Sequence, residues 1–317
     1  MRKRYYGKSA LGVVLTLFAL ALAAAAAAGT GGGSALSGRI TADGSSTVGP
    51  YVQAAAERFE RANPGARVVV GISGTGGGFE RFCRGETDLS NASRPIRLRE
   101  AKRCQDNGVR YTQFLIANDG LSVVVNRGVT WLNCITPAEL KLIWDRGSRV
   151  DSWDDVRQGF PNVPLRLFGP GTDSGTFDFF TEVINGTARR SRSDYTASED
   201  DNVLVRGVSG EQGAMGYFGY SYYVENRNRL KLLRVHNGRS CVAPSVRTVQ
   251  NATYKPLARP LFVYAKRTSF HRGVVRAFVK YMIQNERTLA RASRYIPLTA
   301  KQLAKAKRQY NTAVRDR

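Results

Sequence analysis

The chain has 317 residues, 42% of them hydrophobic and 23% charged, the balance of an ordinary globular protein and not of a disordered or fibrous one. Lys and Arg number 48 against 25 Asp and Glu, a formal net charge of +23 that attracts anions. The cations are scattered apart from modest concentrations at 189–192 and 301–308, with no zinc-finger spacing and no aromatic-basic ribonucleoprotein pattern. A solvated basic surface therefore outweighs nucleic-acid recognition.

The first 34 residues read as an export leader. Arg2, Lys3, Arg4 and Lys8 precede an uncharged apolar run over 10–28, and small residues follow, as at a cleavage site after Ala26-Ala27-Ala28. The run is also about long enough to serve as an uncleaved anchor. No Cys stands near the site, which excludes an ordinary lipoprotein anchor. Cys83, Cys104, Cys134 and Cys241 all follow the leader, an even count that predicts two disulfides in an oxidising compartment. Four cysteines allow three connectivities; Cys83–Cys104 with Cys134–Cys241 keeps each bridge within one expected lobe. There is no C-x-x-C pair, and His236 and His271 stand alone, so a zinc site is not expected.

Beyond the leader, short apolar strands alternate with helical patterns, the signature of α/β architecture. A strand is predicted at 39–42, a helix over 48–62 with Val52, Ala55, Ala56 and Phe59 on one face, and a second strand at 68–72. A helix begins near 76–78. Strands at 111–116 and 121–125 are separated by Asn118-Asp119-Gly120, a turn-like break. Thr136 and Pro137 supply the cap and first residue of a helix through Trp144. A strand at 165–168 and a Phe-rich helix at 175–184 follow. Next come a strand at 214–217, a Tyr-rich helix to Glu225 and a strand at 230–235. The stripe Tyr217, Phe218, Tyr220, Tyr222 and Tyr223 reads as core packing and not as a ligand cage. The chain closes with a strand at 260–265 and helices at 273–284 and 300–314.

Three segments share one order: a strand, then small hydroxyl-bearing and Gly residues, then a helix. They are Asp43-Gly44-Ser45-Ser46-Thr47, Ser73-Gly74-Thr75-Gly76-Gly77-Gly78 and Gly171-Thr172-Asp173-Ser174-Gly175-Thr176. The unsatisfied N–H groups of a helix's first turn carry partial positive charge and bind anions. A fourth segment, Ser93-Arg94-Pro95, sets a guanidinium beside a hydroxyl, either a fork for oxyanion oxygens or a surface Arg held out of helix by Pro95. The glycines lack the Lys-Ser/Thr of a phosphate-binding P-loop, and no G-x-S-x-G elbow surrounds Ser46, Ser73 or Ser174.

Together these segments resemble the phosphate-binding protein of bacterial Pst-type ABC importers, over nearly the whole exported part. Residues 40–59, 68–81, 173–176, 213–217 and 259–264 carry the likeness. The resemblance implies a two-lobed periplasmic-binding-protein fold of type II-like topology, its lobes joined by two crossover strands near 117–122 and 255–260. One lobe would comprise 35–118 with 256–317, the other 119–255. It implies a monomeric periplasmic or cell-surface receptor that needs no cofactor, catalyses nothing, and hands inorganic phosphate to a membrane permease. Ser46, the Thr47 amide, Ser73, Thr75, Ser174, Gly175 and Thr176 would line the anion. The sequence departs from the family in two places. Ser93 stands where many relatives carry a proton-accepting Asp, and Pro170 where many carry an Arg. Arg94 would then be a relocated cation and Asp173 either an acceptor or a helix cap, which leaves phosphate against sulfate open. Rival readings are a receptor for another oxyanion, an exported hydrolase using Ser174 or Ser46 with a histidine, and a basic surface adhesin.

Overall fold

A computed structural model of the protein describes residues 36–316 apart from 173 and 199. The leader and Asp173 lie outside the described residues. The first half opens with β1 (Gly38–Gly44), α1 (Gly49–Ala62), β2 (Ala66–Val70), α2 (Gly74–Cys83), β3 (Leu89–Ala92) and α3 (Leu98–Asp106). Then β4 (Tyr111–Asn126) runs for 16 residues, followed by β5 (Cys134–Ile135), α4 (Pro137–Trp144), β6 (Arg166–Pro170) and α5 (Gly175–Ile184). Next come β7 (Thr196–Ser198), α6 (Asp201–Gly210), β8 (Ala214–Gly219), α7 (Tyr220–Glu225), β9 (Leu230–Leu232), β10 (Arg234–His236), β11 (Cys241–Val242) and α8 (Val246–Gln250). The return strand β12 (Ala258–Lys266) leads into a 3-10 turn (Arg267–His271), α9 (Gly273–Gln284), α10 (Glu286–Ala292) and α11 (Ala300–Arg315).

Nine of the described strands form one sheet in the order β2-β1-β3-β12-β4-β8-β6-β7, with β9 also on β4. Strand β4 belongs to both halves. Residues from Tyr111 to Gly120 pair antiparallel with β12, and Leu121 to Asn126 pair with β8 and β9. The first lobe is thus built on β1, β2, β3, β12 and the start of β4, and the second on the end of β4 with β6 to β9. Parallel neighbours within each half (β1 with β2 and β3, β6 with β7 and β8) send their C-terminal ends the same way, where α/β sheets hold ligands.

Most predicted elements appear, and the differences have physical causes. Asn118-Asp119-Gly120 is no turn but the middle of β4. Asn118 exchanges two 2.9 Å backbone bonds with Ile296, and Asp119 sits opposite Arg259 on β12. A Cβ at Gly120 would fall 2.7 Å from a Val249 methyl, so that glycine serves packing. The strand expected over 230–235 divides in two. Its first part joins β4, and β10 joins β5 and β11 in a separate three-stranded sheet. Helix α2 starts at Gly74, whose φ of +75° suits glycine alone, and α3 was not foreseen because Cys104 is its only buried residue. Its order comes from the Cys83–Cys104 disulfide and from Glu100, which accepts the Arg97 amide at 2.8 Å. Cys134–Cys241 forms the other bridge, as expected. Tyr217 and Phe218 are fully buried, and Tyr217 stacks on Phe180 with centroids 3.8 Å apart beside Trp144. Among the described residues, no helix is long and apolar enough to cross a membrane.

Candidate functional site

The loop after β1 is shaped by two close approaches. A Cβ on Gly44, at φ +138°, would lie 2.2 Å from the Asn91 carbonyl, and one on Gly78 would lie 2.4 Å from the Gly44 Cα. Glycine at both positions lets α2 and β3 press against the end of β1, which fixes Ser45, Ser46 and Thr47 at the start of α1. Asp43, buried below them, accepts the Gly44 amide at 2.8 Å and pairs with Arg81 at 2.6 Å. From the second lobe, Ser174 caps α5 by accepting the Thr176 amide at 3.1 Å. The next residue meets the first lobe. A Cβ on Gly175 would fall 2.4 Å from the Thr47 nitrogen, and the Thr47 hydroxyl donates to the Gly175 carbonyl at 3.0 Å.

Arg259 stands at the crossing of the lobes. It is 5% exposed. Its Nε and Nη2 donate to Asp119 Oδ2 at 3.1 and 3.0 Å, and Nη2 also reaches Thr47 Oγ1 at 2.7 Å and the Gly175 carbonyl at 3.3 Å. The guanidinium lies 3.8 Å from the centroid of the Phe179 ring, a cation–π contact out of water. Burial pulls its pKa below the usual guanidinium value against the opposing pull of Asp119, and an arginine keeps its charge under such a shift. No acceptor for its Nη1 is found among the described residues, and the side chain lines a cavity of about 240 Å³ between the lobes.

That cavity gathers Ser46, Thr47, Thr75, Ser93 and Arg94 from the predicted set. Ser174, Gly175 and Thr176 instead line a second cavity of about 460 Å³, which Ser46 and Thr47 also border, together with Asp119 and Tyr295. The Thr47–Gly175 contact lies between the two groups. Ser73 lines neither: it is exposed at the start of α2. Thr75 and Ser93 hydroxyls are 3.0 Å apart, and the Ser93 amide donates to Thr75 Oγ1 at 3.2 Å.

The fork expected of Arg94 is occupied. Both Nη atoms donate to Glu100 at 2.8 Å, a bidentate pair, and Nε is 4.0 Å from Glu182. The hydrogen bonds to Glu100 raise the Arg94 pKa; burial pushes the Glu100 carboxyl up, but the bonds from Arg94 and the Arg97 amide outweigh it and hold it below the ordinary range. Arg94 therefore contributes to the cavity wall as half of an ion pair.

Sequence reasoning missed Arg259, Asp178 and Glu182. All three line the smaller cavity. Asp178, in the first turn of α5, accepts the Ser46 hydroxyl at 3.3 Å and Arg189 Nε at 3.2 Å. One turn on, Glu182 accepts Arg97 Nη2 at 2.8 Å. The Ser46–Asp178 and Arg97–Glu182 contacts tie the two lobes together across the cavity. Neither His236 nor His271 lines either cavity.

The family profile described as "PBP superfamily domain" matches residues 24–286. The chain belongs to the PBP superfamily. Protein SphX of Synechococcus elongatus is 47% identical over 282 residues, 88% of this chain and 83% of that protein. The phosphate-binding protein PstS of Staphylococcus saprophyticus is 34% identical over 305 residues, 93% of this chain and 90% of that one. This superfamily member also resembles the crystal structure of a possible phosphate binding protein from Planctomyces limnophilus. Those two share 44% identity and a TM-score of 0.86, covering 88% of this chain and 99% of the other. An ABC-type phosphate transport receptor from Vibrio cholerae has the same fold at 20% identity, with a TM-score of 0.65 over 81% of this chain and 99% of that chain.

Proposed function

We propose that the protein is an exported, non-enzymatic receptor that captures inorganic phosphate between its lobes and delivers it to an ABC permease. The observation that carries the reading is the interlobe cavity itself. Hydroxyls of Ser46, Thr75 and Ser93 meet there with a buried, permanently charged Arg259, at the starts of helices α1 and α2. Names of relatives support the ligand: PstS of Staphylococcus saprophyticus is a phosphate-binding protein, and the Vibrio cholerae neighbour a phosphate transport receptor. In this reading Arg259 supplies the cation that Pro170 does not. Thr47 and Ser174 to Thr176 close on the ligand as the lobes come together, and Ser73 stays outside the first ring of contacts.

In this reading Asp178 supplies the selectivity. Its carboxylate borders the cavity, where it accepts a hydrogen bond from a protonated phosphate oxygen and repels a fully ionised oxyanion such as sulfate. The lobes divide at 118/119 and 255/256, and the protein acts as a monomer, without cofactor or nucleic acid, after loss of residues 1–34 and without a lipid anchor. Calorimetric titration with phosphate, arsenate and sulfate tests the reading. Saturable phosphate binding with sulfate much weaker is expected; absence of phosphate binding, or equal affinity for sulfate, overturns it.

A further inference from the structure

The outer end of the first lobe carries a groove remote from the cleft. From Arg259, opposite Asp119, strand β12 runs on to Lys266, a span of about 23 Å at ~3.3 Å per residue. Beyond it, Arg267 with Lys305 and Arg308 of α11 lines a cavity of about 520 Å³, together with Thr112, Gln113 and Thr312. A neighbouring cavity of about 780 Å³ shares Tyr111 and Arg267 and adds Arg110 and Lys102, with Asp106 as its one acidic lining residue among those described.

The charge here is one-sided. Helix α11 contains no acidic residue, and Lys301, Lys305, Arg308 and Arg315 recur on one exposed face. Successive cations among the first three stand about 6 and 4.5 Å apart along the axis at ~1.5 Å per residue. Among the described residues, no ion pair engages Lys305, Arg308 or Arg110. Arg267 has only a distant one, 3.9 Å from the half-exposed Asp316, and the nearby Asp106 is held by Lys102 at 2.9 Å.

We infer that this groove binds a linear polyanion of phosphate units, of the inorganic polyphosphate class. A single small anion meets one or two of these cations; a polymer of regularly spaced charges meets them all and releases condensed counterions as it does so. Gln113 and Thr312 add neutral donors, which suit phosphate units with several acceptor oxygens each. Single-stranded nucleic acid fits less well. Among the described residues, Tyr111 is the one aromatic lining either cavity, and its ring is engaged edge-on with Phe82 at 6.3 Å and Tyr264 at 5.5 Å, leaving no platform for bases. The inference is independent of what the cleft binds.

The test is fluorescence anisotropy of end-labelled long-chain inorganic polyphosphate with the full chain, across a range of salt. The double variant Lys305→Glu, Arg308→Glu changes two exposed residues. It is expected to bind about tenfold or more weakly, with the log–log salt slope reduced by about 2. Its orthophosphate titration is expected to match that of the unaltered protein. A charge-matched control in the second lobe, Arg166→Glu with Arg247→Glu, is expected to retain most of the affinity. Three results overturn the inference: no polyphosphate binding by the unaltered protein, an equal loss in the control, or equally tight binding of oligothymidylate of the same charge.

Discussion

Thr47 and Gly175 touch across the interlobe cleft: the threonine hydroxyl donates to the glycine carbonyl at 3.0 Å, and a methyl on Gly175 would fall 2.4 Å from the Thr47 nitrogen. Backbone from two lobes can come this close only where one partner has no side chain. Gly175→Ala should therefore fold normally yet fail to close, since its strain appears only when the lobes meet. We expect phosphate affinity to fall about tenfold or more, equivalent to at least ~1.4 kcal/mol. Calorimetry alongside thermal melting without ligand checks this. An unchanged affinity would show that closure does not need the contact.

Asp178→Asn keeps the shape of the cavity and removes its negative charge. Asparagine can still accept from Ser46, so the fold should be retained. Sulfate binding should rise by about tenfold or more relative to phosphate, because the repulsion of a fully ionised oxyanion is gone. Competition of sulfate against labelled phosphate reads the ratio directly; a ratio equal to that of the unaltered protein would remove Asp178 from the selectivity role.

Asp119→Ala leaves the Arg259 guanidinium buried without its carboxylate partner. Breaking a buried pair from one side costs about 3–5 kcal/mol, most of it the uncompensated charge. Replacing both, Asp119→Leu with Arg259→Met, should recover much of that stability while abolishing phosphate binding. Urea denaturation of the single and double variants, followed by ligand titration of the double, separates the two roles. Tight phosphate binding by the double variant would exclude Arg259 as the anion's counter-charge.

A pH effect is expected at Asp145, which lines neither interlobe cavity. Hydrogen bonds from Arg190 and Lys141 lower the Asp145 carboxyl from 3.8 to about 2. A folded-state value below the unfolded one adds stability above the unfolded pKa, and that contribution is lost as pH falls from 3.8 toward 2. Asp145→Asn should flatten this part of the stability–pH curve and lower stability slightly at neutral pH. Denaturation midpoints measured through the acid range check both signs.

Local chemistry in the sequence determined a good deal. The Gly175 start of α5 and the Thr136 cap of α4 follow from hydroxyls and glycine placed before an apolar period, and the burial of Val52, Ala55, Ala56 and Phe59 from helical spacing. Helix caps act over three or four residues, so their partners are visible in a short window. The cysteine count predicted two disulfides but allowed three connectivities; the one that keeps each bridge within a lobe is the one formed. Arg94, by contrast, looked like a free fork because Glu100 shows no sign of answering it until α3 folds back. Arg259 carried no signal of a place in the site, since its carboxylate lies 140 residues away and its hydroxyl partner 212. Asp178 reads locally as an ordinary first-turn acid, and only the approach of Ser46, 132 residues earlier, brings it to the cavity. The sequence by itself determined that the chain makes helix starts able to hold an anion. Tertiary structure decided which charges meet there, because ion pairing depends on distance in space and the lobes bring together residues from opposite ends of the chain.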